Sequence, residues 1–141
     1  MTTISPREHQ DRRAIVLVVE DDQALRETTV EILQEEGHVV VQAGDGLRAL
    51  DLLKERDIDV LLLDLGLPRL SGPAVLEALE EPPTVVLVSG FESVEEEEMR
   101  RQFGSVLFEC LRKPVPPRQL IAVTSAAARH ATSSRSTVDL L

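Results

Sequence analysis

Short aliphatic runs alternate with stretches of helical spacing from Ala14 almost to the end of the chain, and this alternation restricts the fold more than any other feature. The strand candidates are 15–19, 39–42, 58–63, 84–88 and 106–110, each β-branched or Leu-rich and bounded by polar, Gly or Pro signals. Runs that are apolar at consecutive positions predict strands buried on both faces. Between them, Leu25, Thr29, Ile32 and Leu33 recur at helical spacing before Gly37, Leu47, Leu50 and Leu53 after Asp45-Gly46, and Val75, Leu76 and Leu79 after Ser71-Gly72-Pro73. Ser71 suits an N-cap with Pro73 in the first turn, Ser93 precedes a helical stretch over 94–102, and Gly37 suits the left-handed position that ends a helix. A fifth helix follows Pro117, with Leu120, Ile121, Thr124, Ala127 and Ala128 on one side. Alternating βα units of this kind predict an α/β fold, a doubly wound five-stranded parallel sheet covered on both faces. Right-handed crossovers then bring the carboxyl ends of all the strands to one edge.

With 141 residues, 43% of them hydrophobic, the chain suits one globular domain. Residues 1–13 read as a flexible charged lead-in, 14–129 as the folded domain, and 130–141 as a flexible, small and polar tail. After the fifth helix too few residues remain for an output module, so a stand-alone domain is expected. A net charge of −10 and the absence of Trp and Tyr oppose direct nucleic-acid binding, which needs clustered cations and stacking rings. One cysteine rules out an internal disulfide. No apolar stretch reaches the length of a membrane span, and the expectation is a cytoplasmic protein with no membrane contact.

The residues just beyond the strands form a chemically coherent set. Strand one ends in Glu20-Asp21-Asp22, strand three in Asp64, strand four in Ser89-Gly90, and strand five leads into Lys113-Pro114. Taken singly, each has an ordinary explanation: the acids suit a helix N-terminus, Ser89 a turn, Lys113 a solvated surface. Together at one sheet edge they suit phosphoryl chemistry. Clustered carboxylates invite a hard divalent cation, and an oxygen-rich site suits Mg²⁺. A hydroxyl and an ammonium beside them can receive the charge of a phosphoryl group in transit, and Asp64 is the natural nucleophile.

Over residues 14–129 the chain resembles the receiver domain of two-component response regulators. The resemblance is carried by Val18-Val19-Glu20-Asp21-Asp22, Leu63-Asp64-Leu65-Gly66-Leu67-Pro68 with Ser71-Gly72, Val88-Ser89-Gly90 and Arg112-Lys113-Pro114. It implies a flavodoxin-like (βα)5 fold with strand order 2-1-3-4-5. It further implies that Asp64 is the phosphoacceptor, that Glu20, Asp21, Asp64 and the carbonyl of Gly66 hold Mg²⁺, and that Asp22 stands outside that set as a helix cap. Ser89 corresponds to the switch hydroxyl, Lys113 to the lysine that pairs with the phosphoryl group, and Pro114 to a cis proline. Cys110 takes the place of a switch aromatic but is too small to report by that route, and a buried small apolar role suits it better than redox chemistry. Gly66 lacks the larger side chain common there, which suggests a short-lived phosphoaspartate. The short link Glu80-Glu81-Pro82-Pro83 and the turn Phe103-Gly104-Ser105 also depart from the family pattern. The acidic run at 95–98, with Glu92 before it, suits a solvated helix face with Glu96-Arg100 and Glu97-Arg101 pairs. His9, His38 and His130 have no assigned role.

The leading expectation is thus a signalling domain that catalyses only its own phosphotransfer and dephosphorylation. It would take a phosphoryl group from a histidine kinase or histidine phosphotransfer protein and act on an unknown output protein as a monomer or weak homodimer. Two alternatives stand beside it. One is an adaptor or phosphate sink that works without phosphate-dependent switching; the other is a phosphatase of the haloacid dehalogenase type, against which the chain order of the acids argues.

Overall fold

The computed structural model describes residues 13–90 and 93–140. Most of the lead-in, with His9, and also Glu92 fall outside the described residues.

The strands β1 (Ile15–Val19), β2 (Val39–Ala43), β3 (Val60–Leu63), β4 (Thr84–Ser89) and β5 (Leu107–Arg112) are joined by α1 (Gln23–Glu35), α2 (Gly46–Glu55), α3 (Gly72–Glu77) and α4 (Ser93–Phe103), and α5 (Pro117–Leu140) closes the chain. All ladders are parallel and the order is β2-β1-β3-β4-β5. This is the flavodoxin-like arrangement expected. In β1 and β3 the side chains alternate between two cores: Val16, Val18, Val60 and Leu62 join Leu33 of α1 and Leu120 of α5 on one face. On the other, Leu17, Val19, Leu61 and Leu63 join Ala49, Leu76 and Met99 of α2, α3 and α4. Both strands are thus buried on both sides, and a Leu61→Ala change would remove about 2–5 kcal/mol.

Helix ends follow local chemistry. Asp22 caps α1, its Oδ1 accepting from Leu25 N–H at 3.0 Å, and Asp45 caps α2 by accepting from Arg48 N–H at 2.8 Å. Ser71 caps α3, accepting from Ala74 N–H at 3.3 Å. Gly37 takes φ 92°, and Gly37 and His38 donate back to Gln34 and Leu33, closing α1 with the paired bonds of a Schellman motif.

Some elements differ from the sequence expectation. The buried stripe of α2 is Gly46, Ala49 and Leu52, one position out of phase with Leu47, Leu50 and Leu53. A Cβ at Gly46 would stand 1.8 Å from the Leu70 carbonyl oxygen, so this glycine seats the helix with its own face inward and turns Leu47 out, 47% exposed. Leu25 at the start of α1 is likewise exposed. The last helix runs on to Leu140, through most of the segment read from sequence as the tail. On α4, Arg100 pairs with Glu96 as expected (3.3 Å), whereas Arg101 pairs with Glu98 at 2.8 Å rather than Glu97, an i,i+3 contact equally available on a helix.

Candidate functional site

β1, β3 and β4 end at the same sheet edge, and β5 delivers Lys113 to it. Asp64 follows β3 directly, its N–H still in the ladder to Val19. It is 7% exposed, beside Glu20 at 6% and Ser89 at 8%. Both of its oxygens are held. Oδ1 accepts from the Ser89 hydroxyl and from Gly66 N–H, each at 3.1 Å, and Oδ2 accepts from Lys113 Nζ at 2.9 Å. Lys113 also meets Glu20 Oε1 at 2.5 Å, so one ammonium spans two carboxylates. Glu20 Oε2 accepts from Asp22 N–H at 3.2 Å.

Lys113 reaches this point because β5 is in register with β4 up to Ser89–Arg112, and its own N–H donates to the Ser89 carbonyl at 3.0 Å. The Lys113-Pro114 peptide is cis. The loop after Asp64 is equally constrained. Gly72 N–H donates to Leu65 O at 3.0 Å, and a Cβ at Gly72 would lie 2.5 Å from the Asp64 carbonyl oxygen. Within the loop, Leu70 N–H donates to Pro68 O at 2.7 Å across Arg69, whose φ of 68° marks a strained γ-turn.

Electrostatics separate the two buried acids. Burial pushes the Asp64 carboxyl up, but the Lys113 hydrogen bond, Gly66 N–H, the Lys113 charge and the Ser89 hydroxyl together outweigh it, and its pKa lies below the ordinary value. For Glu20 burial wins over Lys113 and the Asp22 N–H, and its pKa is raised. Burial disfavours the Lys113 ammonium, yet bonds to Glu20 and Asp64 reverse this and raise its pKa. Asp64 is therefore held as an ionised carboxylate with both oxygens hydrogen-bonded.

Glu20, Asp21 and Asp64 each offer a carboxylate oxygen within 4.8 Å of the others. Such an all-oxygen, partly buried set fits a hard divalent cation. Gly66 lies two residues on, its N–H turned to Asp64. Cys110 stands on β5 opposite Leu87, half-buried against the core shared by α2, α3 and α4, and burial raises its thiol pKa. The structure thus brings Glu20, Asp21, Asp64, Ser89 and Lys113 together, with Cys110 packed into the adjoining core.

Residues 16–125 match the family described as response regulator receiver domain. The chain belongs to that family. As a receiver it is similar to the transcriptional regulatory protein CpxR of Escherichia coli, 36% identical over 120 residues that cover 82% of this chain and 49% of CpxR. It is also similar to the cell cycle response regulator CtrA of Brucella ovis, 33% identical over 133 residues, 89% of this chain and 56% of CtrA. The chain spans about half the length of the curated relatives it matches. Among solved structures, the CheY-like receiver domain protein of Methanospirillum hungatei superposes with a TM-score of 0.77 at 25% identity, covering 86% of this chain and 98% of that one. A receiver is a signalling domain of two-component systems, and a phosphatase of the haloacid dehalogenase type is set aside. Among the described residues no helix is long and apolar enough to cross a membrane.

Arg26 of α1 was invisible from sequence. Its guanidinium donates to the Glu20 carbonyl and to the Gln42 side chain on β2, partners that only the packed helix brings within reach.

Proposed function

We propose that this receiver accepts a phosphoryl group on Asp64 from a histidine kinase or a histidine phosphotransfer protein, with Mg²⁺ held by Glu20, Asp21, Asp64 and the Gly66 carbonyl, and signals through altered protein binding. The observation that carries the reading is Asp64 itself: a buried, ionised carboxylate at a strand end, oriented by Ser89 and Lys113, with two further acids beside it. An Asp64 oxygen forms the new P–O bond while the donor's P–N bond breaks, and the donor imidazole leaves neutral after gaining a proton. Lys113 supplies positive charge to the phosphoryl oxygens and Ser89 a hydrogen bond. Glu20, Asp21, Asp64 and the Gly66 carbonyl would hold Mg²⁺, which would supply further charge neutralisation to the phosphoryl group. Beyond this self-directed transfer and hydrolysis of the resulting acyl phosphate, the domain turns over no substrate. The complete set of acids, hydroxyl and ammonium supports this over an adaptor indifferent to phosphate.

Intact mass after incubation with acetyl phosphate and Mg²⁺ tests the assignment. One phosphoryl increment is expected on the wild type and none on Asp64→Asn. An increment retained by Asp64→Asn would overturn it.

A further inference from the structure

We propose that Arg26 is the positioning residue for the acidic pair: its guanidinium holds the peptide that joins Glu20 to Asp21 and thereby sets how their two carboxylates meet a divalent cation. The proposal rests on the reading of Glu20, Asp21 and Asp64 as Mg²⁺ ligands.

Arg26 Nη1 donates to the Glu20 carbonyl oxygen at 2.7 Å, and Nε donates to Gln42 Oε1 at 2.9 Å. The peptide unit is planar, so that carbonyl oxygen shares one plane with the Cα atoms of both Glu20 and Asp21. Fixing it fixes the origins of both side chains. The other end of the segment is tied as well: Glu20 N–H donates to Ala43 O at 3.1 Å, and Arg26 N–H donates to Asp22 O at 2.9 Å in the first turn of α1. The guanidinium therefore reaches back one helical turn to brace the loop from which its own helix starts.

The seat for this side chain is built into the neighbouring loop. A Cβ at Gly44 would approach Arg26 Nη1 to 3.1 Å, so the glycine leaves the guanidinium its place. Gln42 holds the fork from the far side. Two separate acceptors at a fixed angle suit a planar guanidinium, whereas an ammonium is a compact point charge on a flexible stem. Charge alone and two-point positioning are thus separable by experiment. Groups that orient metal ligands from behind commonly change metal affinity by about 10–100-fold when removed.

Mg²⁺ binding to the full chain is measured by calorimetry and by amide NMR shifts for wild type, Arg26→Gln, Arg26→Lys and Arg101→Gln. Arg101, paired with Glu98 on α4, controls for loss of one positive charge elsewhere. Both Arg26 variants are expected to bind Mg²⁺ about tenfold more weakly, with core amides such as Leu62 unmoved, while Arg101→Gln stays within about twofold of wild type. Should Arg26→Gln not fold, Arg26→Lys decides. By charge alone, removing a cation beside an acidic site strengthens Mg²⁺ binding, so a gain in Arg26→Gln or wild-type affinity in Arg26→Lys overturns positioning, and an equal loss in Arg101→Gln shows that the effect is not specific to Arg26 and overturns it as well. A wild type that gives no Mg²⁺ response overturns the metal-site reading and this proposal with it, whereas normal wild-type binding with unchanged Arg26 variants overturns the role of Arg26 alone.

Discussion

The Ser89 hydroxyl donates to Asp64 Oδ1 at 3.1 Å, linking the end of β4 to the end of β3 through one buried hydrogen bond. Ser89→Ala removes a bond to a charged acceptor, but Asp64 keeps Gly66 N–H and Lys113. The expected loss is about 1 kcal/mol in thermal or denaturant unfolding. Phosphoryl uptake followed by intact mass should slow yet persist, because Lys113 remains in place. Complete loss of uptake would show that Ser89 is more than an auxiliary donor.

The two buried acids give opposite pH signatures in chelator-containing buffer. Asp64 is more acidic than an ordinary aspartate when folded, so its ionisation contributes stability above ~3.9 that is lost as the pH falls through its folded pKa. Glu20 is less acidic than ordinary, so the folded state loses stability as the pH rises from ~4.3 through its folded pKa. Melting curves across this acidic range should show the Asp64 contribution absent in Asp64→Asn and the Glu20 loss absent in Glu20→Gln. Identical pH slopes for wild type and both variants would contradict the assignment.

At Gly66 a Cβ would meet nothing within 4 Å, and the backbone is not in a left-handed conformation. A larger side chain is therefore tolerated and would screen the Asp64 edge from water. Gly66→Met is expected to lengthen the phosphoaspartate lifetime, and a tenfold change would correspond to ~1.4 kcal/mol in the hydrolysis barrier. Decay of the phosphoryl mass increment measures it; an unchanged or shortened lifetime refutes the shielding argument.

Thr124 on α5 is fully buried and its hydroxyl has no hydrogen-bond partner among the described residues. An unsatisfied buried hydroxyl costs about 1–3 kcal/mol, and Val replaces it with a methyl of matching shape. Thr124→Val should raise stability by about 1 kcal/mol in denaturant unfolding, with phosphoryl uptake unchanged. A destabilised variant would mean that the hydroxyl is satisfied in solution.

Sheet and site were legible for the same reason: consecutive aliphatic residues announce buried strands, and reactive side chains stand immediately after them in the chain, as Asp64 does after Leu63. What escaped depends on tertiary contact. The phase of α2 is decided by Gly46 against the Leu70 carbonyl, not by where its leucines recur. In β5 an irregularity opposite Val85 and Val86 lets Leu107 and Cys110, three residues apart, pack against the same core, which simple alternation forbids. Arg26 finds Gln42 sixteen residues away only because α1 lies along the end of β2.

The closed loop from Leu65 to Gly72 has a mechanical consequence. Its two ends are tied by a backbone bond and wedged against the Asp64 carbonyl, so it has no slack to yield. On its other side Asp64 is held by side chains alone, the Ser89 hydroxyl from the end of β4 and the Lys113 ammonium just after β5. A change at the Asp64 carboxylate is therefore met first by Ser89 and Lys113, whose side chains touch it directly.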